Sequence, residues 1–161
     1  MSTLVAADTK IYRQSGYGLA CPSYTMTMPR GATFRDVADS EELRVRFEDA
    51  DLARHAPVVR AILGRDALPG TMAELSDAFM ASHFADPEVL RKGHKRKRVA
   101  IVDDAHGAAA YAGFQRTLAC SGSGGNGIGS TSQWAAVTQA ASKRLWSVLL
   151  ADDVRGLSAS R

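Results

Sequence analysis

The sequence predicts an α+β domain in which helices precede a small antiparallel sheet, and the sheet packs under a long C-terminal helix. Three patterns lead to this prediction. Capping boxes open helical segments in the first half, a hairpin pattern covers residues 98–120, and an amphipathic pattern follows a glycine-rich stretch. The 161 residues, 45% of them hydrophobic, suffice for a proper core. We therefore expect a single domain over residues 1–161.

The first part of the chain divides into an irregular and a helical segment. Residues 1–35 contain turn signals and short β-prone stretches, so short strands between turns are expected there. Residues 38–93 are predicted to be helical. A helix begins at Asp39, and Glu42 completes its capping box. Pro57 must break or restart this helix, because proline lacks an N–H and clashes with the preceding turn.

Residues 95–151 are predicted to hold a hairpin, a glycine-rich loop and a helix. A short helix with Asp86 as its N-cap leads into this part of the chain. Residues 99–102 form a continuous apolar run that is typical of a buried strand, and residues 108–120 form a second strand. Gly107 suits the positive φ of a tight turn between them, so we expect an antiparallel hairpin.

The last predicted element is a long helix with a wide apolar face. Ser130, Thr131 or Ser132 can cap it, and apolar residues then recur at helical spacing. Trp134 and Trp146 both fall within this pattern, on roughly opposed sectors of the helix. The width of the apolar face predicts that the helix packs across the hairpin.

The net charge of +3 hides an uneven distribution of charged residues. Residues 36–51 include seven acidic residues and two arginines, whereas residues 91–98 include six basic residues and no acid. We refer to these six as the basic ridge: Arg91, Lys92, Lys95, Arg96, Lys97 and Arg98. The two stretches are either solvated faces that attract each other within the chain, or binding surfaces for other molecules.

The density of the basic ridge favours contacts with nucleic-acid phosphates, because each neutralised phosphate releases a counterion. Arginine also binds phosphate through two parallel hydrogen bonds. Arg116 and Lys143 are candidates to assist. A second possibility is self-association, in which an acidic helix over residues 39–54 meets the ridge of a neighbouring copy. The expected partner is a nucleic acid or another polyanion in the first case, and a second copy of the chain in the other.

The glycine-rich stretch is the second candidate site. Residues 122–127 match GxGxxG, but dinucleotide binding also needs a parallel βαβ unit and an acidic residue about 20 positions later. We therefore exclude a dinucleotide. Exposed backbone N–H groups before a helix still favour an anion, and a mobile connector is the alternative. The candidate anion-binding residues are Gly124, Gly125, Gly127, Gly129 and Ser130.

Residues Gly127-Ile128-Gly129-Ser130, between a hairpin and a helix, resemble the middle of GNAT acyltransferases over about 55 residues. That family holds the pyrophosphate of acetyl-CoA with a Gln/Arg-x-x-Gly-x-Gly/Ala loop. The resemblance implies that the backbone N–H groups of Gly127, Ile128 and Gly129 would hold the cofactor. Gly124 stands where the family has glutamine or arginine. The resemblance identifies no catalytic base.

Other chemistry is not indicated. The two cysteines, Cys21 and Cys120, form no CxxC pattern, and Asp103, Asp104 and His106 are interpreted as a polar turn. No catalytic residue, metal site or cofactor is predicted. The sequence contains no signal-peptide pattern and no apolar run long enough to span a bilayer, so we expect a cytoplasmic or intravirion protein without membrane contact.

These observations favour a non-enzymatic, nucleic-acid-associated protein that contacts the phosphate backbone through the basic ridge. An accessory or regulatory protein and a structural subunit of a viral homo-oligomer both fit this prediction. The alternatives are a GNAT-like acyl-CoA-dependent acyltransferase that uses the glycine-rich loop, and a protein-interaction module without nucleic acid.

Overall fold

The computed structural model describes residues 12, 15–17, 26–28, 32–66, 76–91, 93–119 and 126–151. The predicted mixed α+β class is confirmed, whereas the predicted order of helices followed by a hairpin is matched only in part. The elements within the described ranges are β1 (Arg44–Asp49), α1 (Leu52–Asp66), α2 (Asp77–Phe84), a 3-10 helix (Glu88–Leu90), β2 (Arg98–Asp104), β3 (Gly107–Ala119), β4 (Asn126–Ala136) and α3 (Gln139–Leu150).

The predicted hairpin is formed by β2 and β3. Arg98 lies opposite Phe114, and the antiparallel pairing continues to the turn at Ala105 and His106. Gly107 has a φ of 109°, the left-handed conformation that glycine adopts most easily. β1 pairs with β2 and β4 pairs with β3, so the described strands form one antiparallel sheet in the order β1-β2-β3-β4.

Helices cover both faces of the sheet, and side chains alternate between two cores. Tyr111 belongs to the first core and Phe114 to the second, because an odd spacing on a strand places side chains on opposite faces. The first core, under α1 and α2, contains Ala56, Val59, Ile62, Met80, Phe84, Val99, Ile101, Tyr111 and Ala135. The second core, under α3, contains Ala100, Val102, Ala109, Ala110, Ala112, Phe114, Ala141 and Leu145.

The predicted helix from Asp39 is wrong. Asp39 lies in a turn with a φ of 60°, and the chain then forms β1. Leu43 and Phe47 are four residues apart, which suits a helix, but with Val45 between them they also suit a strand of period two. All three pack against the core under α3, so pairing with β2 decides between the two periods.

Pro57 does not break α1, contrary to the prediction. The helix begins after Asp51, whose Oδ1 accepts a hydrogen bond from the Arg54 N–H at 2.7 Å. It then continues through Pro57 to Asp66. Proline removes the hydrogen bond to the carbonyl four residues earlier, which here belongs to Ala53 in the exposed first turn. Water can bind that carbonyl, so the helix tolerates the proline.

The glycine-rich stretch is a strand over much of its length, not a loop that opens a helix. Residues 126–136 form β4, which pairs with β3. Residues 121–125 lie outside the described part of the chain. The pairing satisfies backbone groups that the loop interpretation leaves to solvent. The low β-propensity of glycine is therefore outweighed by the ladder that β3 offers.

The last helix begins later than predicted. Thr138 caps α3, and its Oγ1 accepts a hydrogen bond from the Ala141 N–H at 3.1 Å. Trp134 consequently lies on β4, and Trp146 lies on α3. Their ring centroids are 5.3 Å apart with the planes at 78°, an edge-to-face contact between strand and helix. None of the described helices is both long and apolar enough to span a bilayer.

Candidate nucleic-acid interface

The basic ridge lies where the chain enters the sheet, at the end opposite the turn between β2 and β3. Its last residue, Arg98, is the first residue of β2. β3 and β4 continue to pair beyond this point, over residues 115–119 and 126–130. The Lys95 N–H donates to the Arg116 carbonyl on this two-stranded extension at 2.8 Å. The Ala50 N–H, just after β1, donates to the Lys97 carbonyl at 3.1 Å, so backbone hydrogen bonds from both neighbouring strands hold the ridge before β2 begins.

One partly buried carboxylate, that of Asp86, organises the ridge. It accepts hydrogen bonds from Arg91 Nε at 3.0 Å, from the Lys97 N–H at 2.9 Å and from Gln115 Nε2 at 3.0 Å. Burial alone would raise the pKa of Asp86, but the Lys97 N–H and the Arg91 guanidinium lower it below its usual value. The predicted N-cap role is wrong, because the 3-10 helix begins after Pro87 and has no side-chain cap.

Lys97 serves the fold and not the surface. Its Nζ donates to the carbonyls of His83 at 2.7 Å and Ala85 at 3.1 Å, at the C-terminus of α2. A lysine in this position satisfies carbonyls that have no partner within the helix. Burial lowers the pKa of the Lys97 ammonium, and the nearby Asp86 charge opposes this effect. Because Arg91 is bound to Asp86, both Arg91 and Lys97 of the predicted ridge are occupied within the chain.

Lys95 and Arg96 differ from these residues because both are exposed. Among the described residues, no carboxylate lies within ion-pair distance of either side chain, although other ridge residues have such partners. Lys92 lies outside the described residues. In the described part of the predicted ridge, Lys95 and Arg96 thus keep two uncompensated charges facing solvent.

Arg98 and Arg116 each lie over a phenylalanine ring. The Arg98 Cζ is 5.9 Å from the Phe47 ring centroid, and the Arg116 Cζ is 5.7 Å from that of Phe114. The two rings contact each other edge-to-face at 5.8 Å. Arg98 Nε is 3.7 Å from Asp49 Oδ1, which is too long for a hydrogen bond. Burial lowers the pKa of Arg116, and the Arg98 charge lowers it further.

The acidic residues before α1 are largely paired with other parts of the same chain. Lys143 on α3 lies 3.3 Å from Asp36 and 3.5 Å from Glu41, and Arg144 lies 2.7 Å from Glu41. The Glu48 carboxylate forms hydrogen bonds with the side chains of Arg46, Arg54 and His55. Lys143 therefore does not extend the ridge, since its charge is used on the acidic segment.

This pairing bears on the predicted contact between copies of the chain. Residues 39–54 form a turn, β1 and the start of α1 and not the single acidic helix that the prediction requires. In the same chain, Asp49 already faces Arg98. Self-association through the ridge stays a prediction, but its acidic surface is not a helix face.

The candidate anion-binding glycines are divided by the structure. Gly124 and Gly125 lie outside the described residues, whereas Gly127 and Gly129 lie in β4, opposite Leu118 and Arg116. The fifth candidate, the exposed Ser130, also lies in β4. None of the described candidates lies at a helix N-terminus. The loop-to-helix context that supports the resemblance to GNAT acyltransferases is therefore wrong, and anion binding by these residues stays a prediction.

Within the described ranges, no group of three or more histidine, cysteine, aspartate or glutamate residues could hold a metal ion. The sequence matches no protein-family model and no curated protein. A function for this chain is therefore inferred from the geometry of the ridge. Sequence reasoning missed the role of Asp86 and the two phenylalanine rings, since these contacts join distant parts of the chain.

Proposed function

We propose that the protein binds the phosphate backbone of nucleic acid through Lys95 and Arg96, with Arg98 and Arg116 beside them. The observation that carries the proposal is the exposure of Lys95 and Arg96 without a carboxylate partner among the described residues. The segment is fixed at both ends, by the Lys95 and Lys97 backbone N–H groups. A cationic surface that is already ordered loses little conformational entropy when an anion binds.

The number of available cations sets the strength and character of the binding. Two to four phosphate contacts predict a slope of about −2 to −4 for log K against log salt. Raising the salt from 50 to 200 mM then weakens binding about 10- to 150-fold. Phosphate contacts do not read bases, so we expect little sequence preference. Such binding suits an accessory or structural role on nucleic acid.

The test measures fluorescence anisotropy of labelled DNA and RNA 20-mers across a salt series. The variant K95A/R96A removes the two exposed charges. The control variant R35A/R44A removes two exposed arginines that lie outside the ridge. Since both variants lose the same net charge, a general electrostatic effect would weaken both equally.

We expect K95A/R96A to bind at least about tenfold more weakly and to lose about two units of salt slope, because two phosphate contacts are gone. The control should keep the wild-type slope. Equal affinities for K95A/R96A and the wild type, or equal losses in both variants, would contradict the proposal. Circular dichroism of each variant shows whether it remains folded.

A further inference from the structure

We propose that Arg98 and Arg116 form a defined site for a single phosphate group on the α3 face of the sheet. This inference rests on the proposed function and deepens it, because it identifies where two guanidinium groups hold a phosphate of the nucleic acid. It gives Arg98 and Arg116 a role that differs from that of the exposed pair, Lys95 and Arg96. The same phosphate chemistry is offered by free inorganic phosphate, so the experiment separates the two sources.

The register of the sheet places the two arginines side by side. Arg98 lies directly opposite Phe114, and Arg116 follows Phe114 by two residues on the same face of β3. Diagonal neighbours of this kind on adjacent antiparallel strands are about 7–8 Å apart. Two guanidinium groups extending from such positions can contact one tetrahedral oxyanion between them. The effect of the Arg98 charge on Arg116 agrees with this proximity.

The phenylalanine rings hold the arginine side chains in place. Each guanidinium lies over an aromatic ring. The distance from Cζ to the ring centroid is 5.9 Å for Arg98 and 5.7 Å for Arg116. Because Phe114 is only 4% exposed and packs against Phe47, the rings themselves are fixed. Stacking on a ring uses the face of a guanidinium and leaves the N–H groups at its edge available. A pair of fixed forks is the arrangement that favours bidentate binding of phosphate.

The described residues balance the charges around the site only in part. In the described ranges, Asp49 is the carboxylate paired with Arg98, at 3.7 Å, and its side chain is 78% exposed. No ion pair to Arg116 occurs there. Arg98 Nε is buried and makes no hydrogen bond within those ranges. One bound oxyanion would reduce the repulsion between the two guanidinium charges and would accept a hydrogen bond from Arg98 Nε.

The first arm of the test uses inorganic phosphate as the probe. Thermal unfolding of the whole chain is followed in sodium phosphate and in sodium chloride of equal ionic strength. We expect phosphate to raise the melting temperature of the wild type and of K95A/R96A, since binding to the native state stabilises it. The variant R98K/R116K keeps both charges but loses the forks, so its phosphate affinity should fall about tenfold or more.

The second arm uses a DNA 20-mer without terminal phosphates, so that only backbone phosphodiesters are offered. Loss of affinity in R98K/R116K for both the 20-mer and inorganic phosphate identifies the backbone as the source. Loss for inorganic phosphate alone supports the site but assigns it to free phosphate. If the wild type is not stabilised by phosphate over chloride, or if R98K/R116K responds as the wild type does, the site is refuted. K95A/R96A separates this result from failure of the proposed function, because it affects only the 20-mer.

Discussion

Replacing Asp86 by alanine should destabilise the fold by about 3 kcal/mol, since one carboxylate joins three segments. The side chain is 16% exposed and accepts three hydrogen bonds, from Arg91, Lys97 and Gln115. Hydrogen bonds to a charged group contribute about 1.5–3 kcal/mol each, but bonds that share one acceptor group are not additive. A loss of about 3 kcal/mol is therefore a conservative sum for D86A.

The assay is urea unfolding at pH 7, followed by circular dichroism. With an m-value of about 2 kcal/mol/M, the expected loss moves the midpoint of D86A by about 1.5 M. D86N keeps an acceptor oxygen but not the charge, so we expect about half of that shift. The matched control is E88A, which removes an exposed carboxylate two residues away and should shift stability by less than about 0.5 kcal/mol. A midpoint for D86A no lower than that for E88A would show that the three hydrogen bonds do not stabilise the fold.

Two further substitutions test the roles of Glu48 and Lys97. Burial raises the pKa of Glu48, but its bonds to Arg46, Arg54 and His55 outweigh this and bring it from 4.5 to about 2. The stability that this lowered pKa provides is present above pH 4.5 and is lost as the pH falls toward 2. We therefore expect E48Q to flatten the acid side of a curve of unfolding free energy against pH. An unchanged acid side would contradict this. K97M removes the Nζ contacts with α2, so it should cost about 1–2 kcal/mol in urea unfolding and leave anisotropy with DNA unchanged. A K97M chain that is fully stable but binds weakly would reverse the roles assigned to Lys97 and Lys95.

The hairpin could be predicted from sequence because its signals are local and agree with one another. Residues 99–102 are continuously apolar, and Gly107 follows at the turn. The opposite placement of Tyr111 and Phe114 follows from their odd spacing on a strand. Each of these signals is contained in a short window, and nothing distant competes with it.

The predictions for β1 and β4 were wrong for two different physical reasons. In β1, Leu43 and Phe47 fit both a helical and an alternating period, and only the partner strand resolves the ambiguity. In β4, glycine at positions 127 and 129 indicates a loop locally, while pairing with β3 supplies stability that the local sequence does not reveal. Tertiary pairing decides both cases.

The candidate site was only partly predictable. The density of basic residues identified the ridge, but not which side chains face solvent. That division depends on Asp86, whose partners Lys97 and Gln115 lie 11 and 29 residues away. Contacts over such separations leave no periodic signal in the sequence. They turn Arg91 and Lys97 inward and leave Lys95 and Arg96 outward.

The strand register also places two carboxylates far from the exposed cations of the ridge. Asp103 and Asp104 lie at the hairpin-turn end of β2, whereas the ridge lies at its other end. Seven residues of extended chain, at about 3.3 Å each, place these ends about 20 Å apart. Arg46 pairs with Asp103 at 2.8 Å, so Asp104 at one end and Lys95 and Arg96 at the other contribute a dipole component along the strands. In the field of a polyanion, this component would turn the ridge end of the molecule forward before any contact is made. Productive encounters should then be more frequent than random orientation allows, and added salt should remove this advantage.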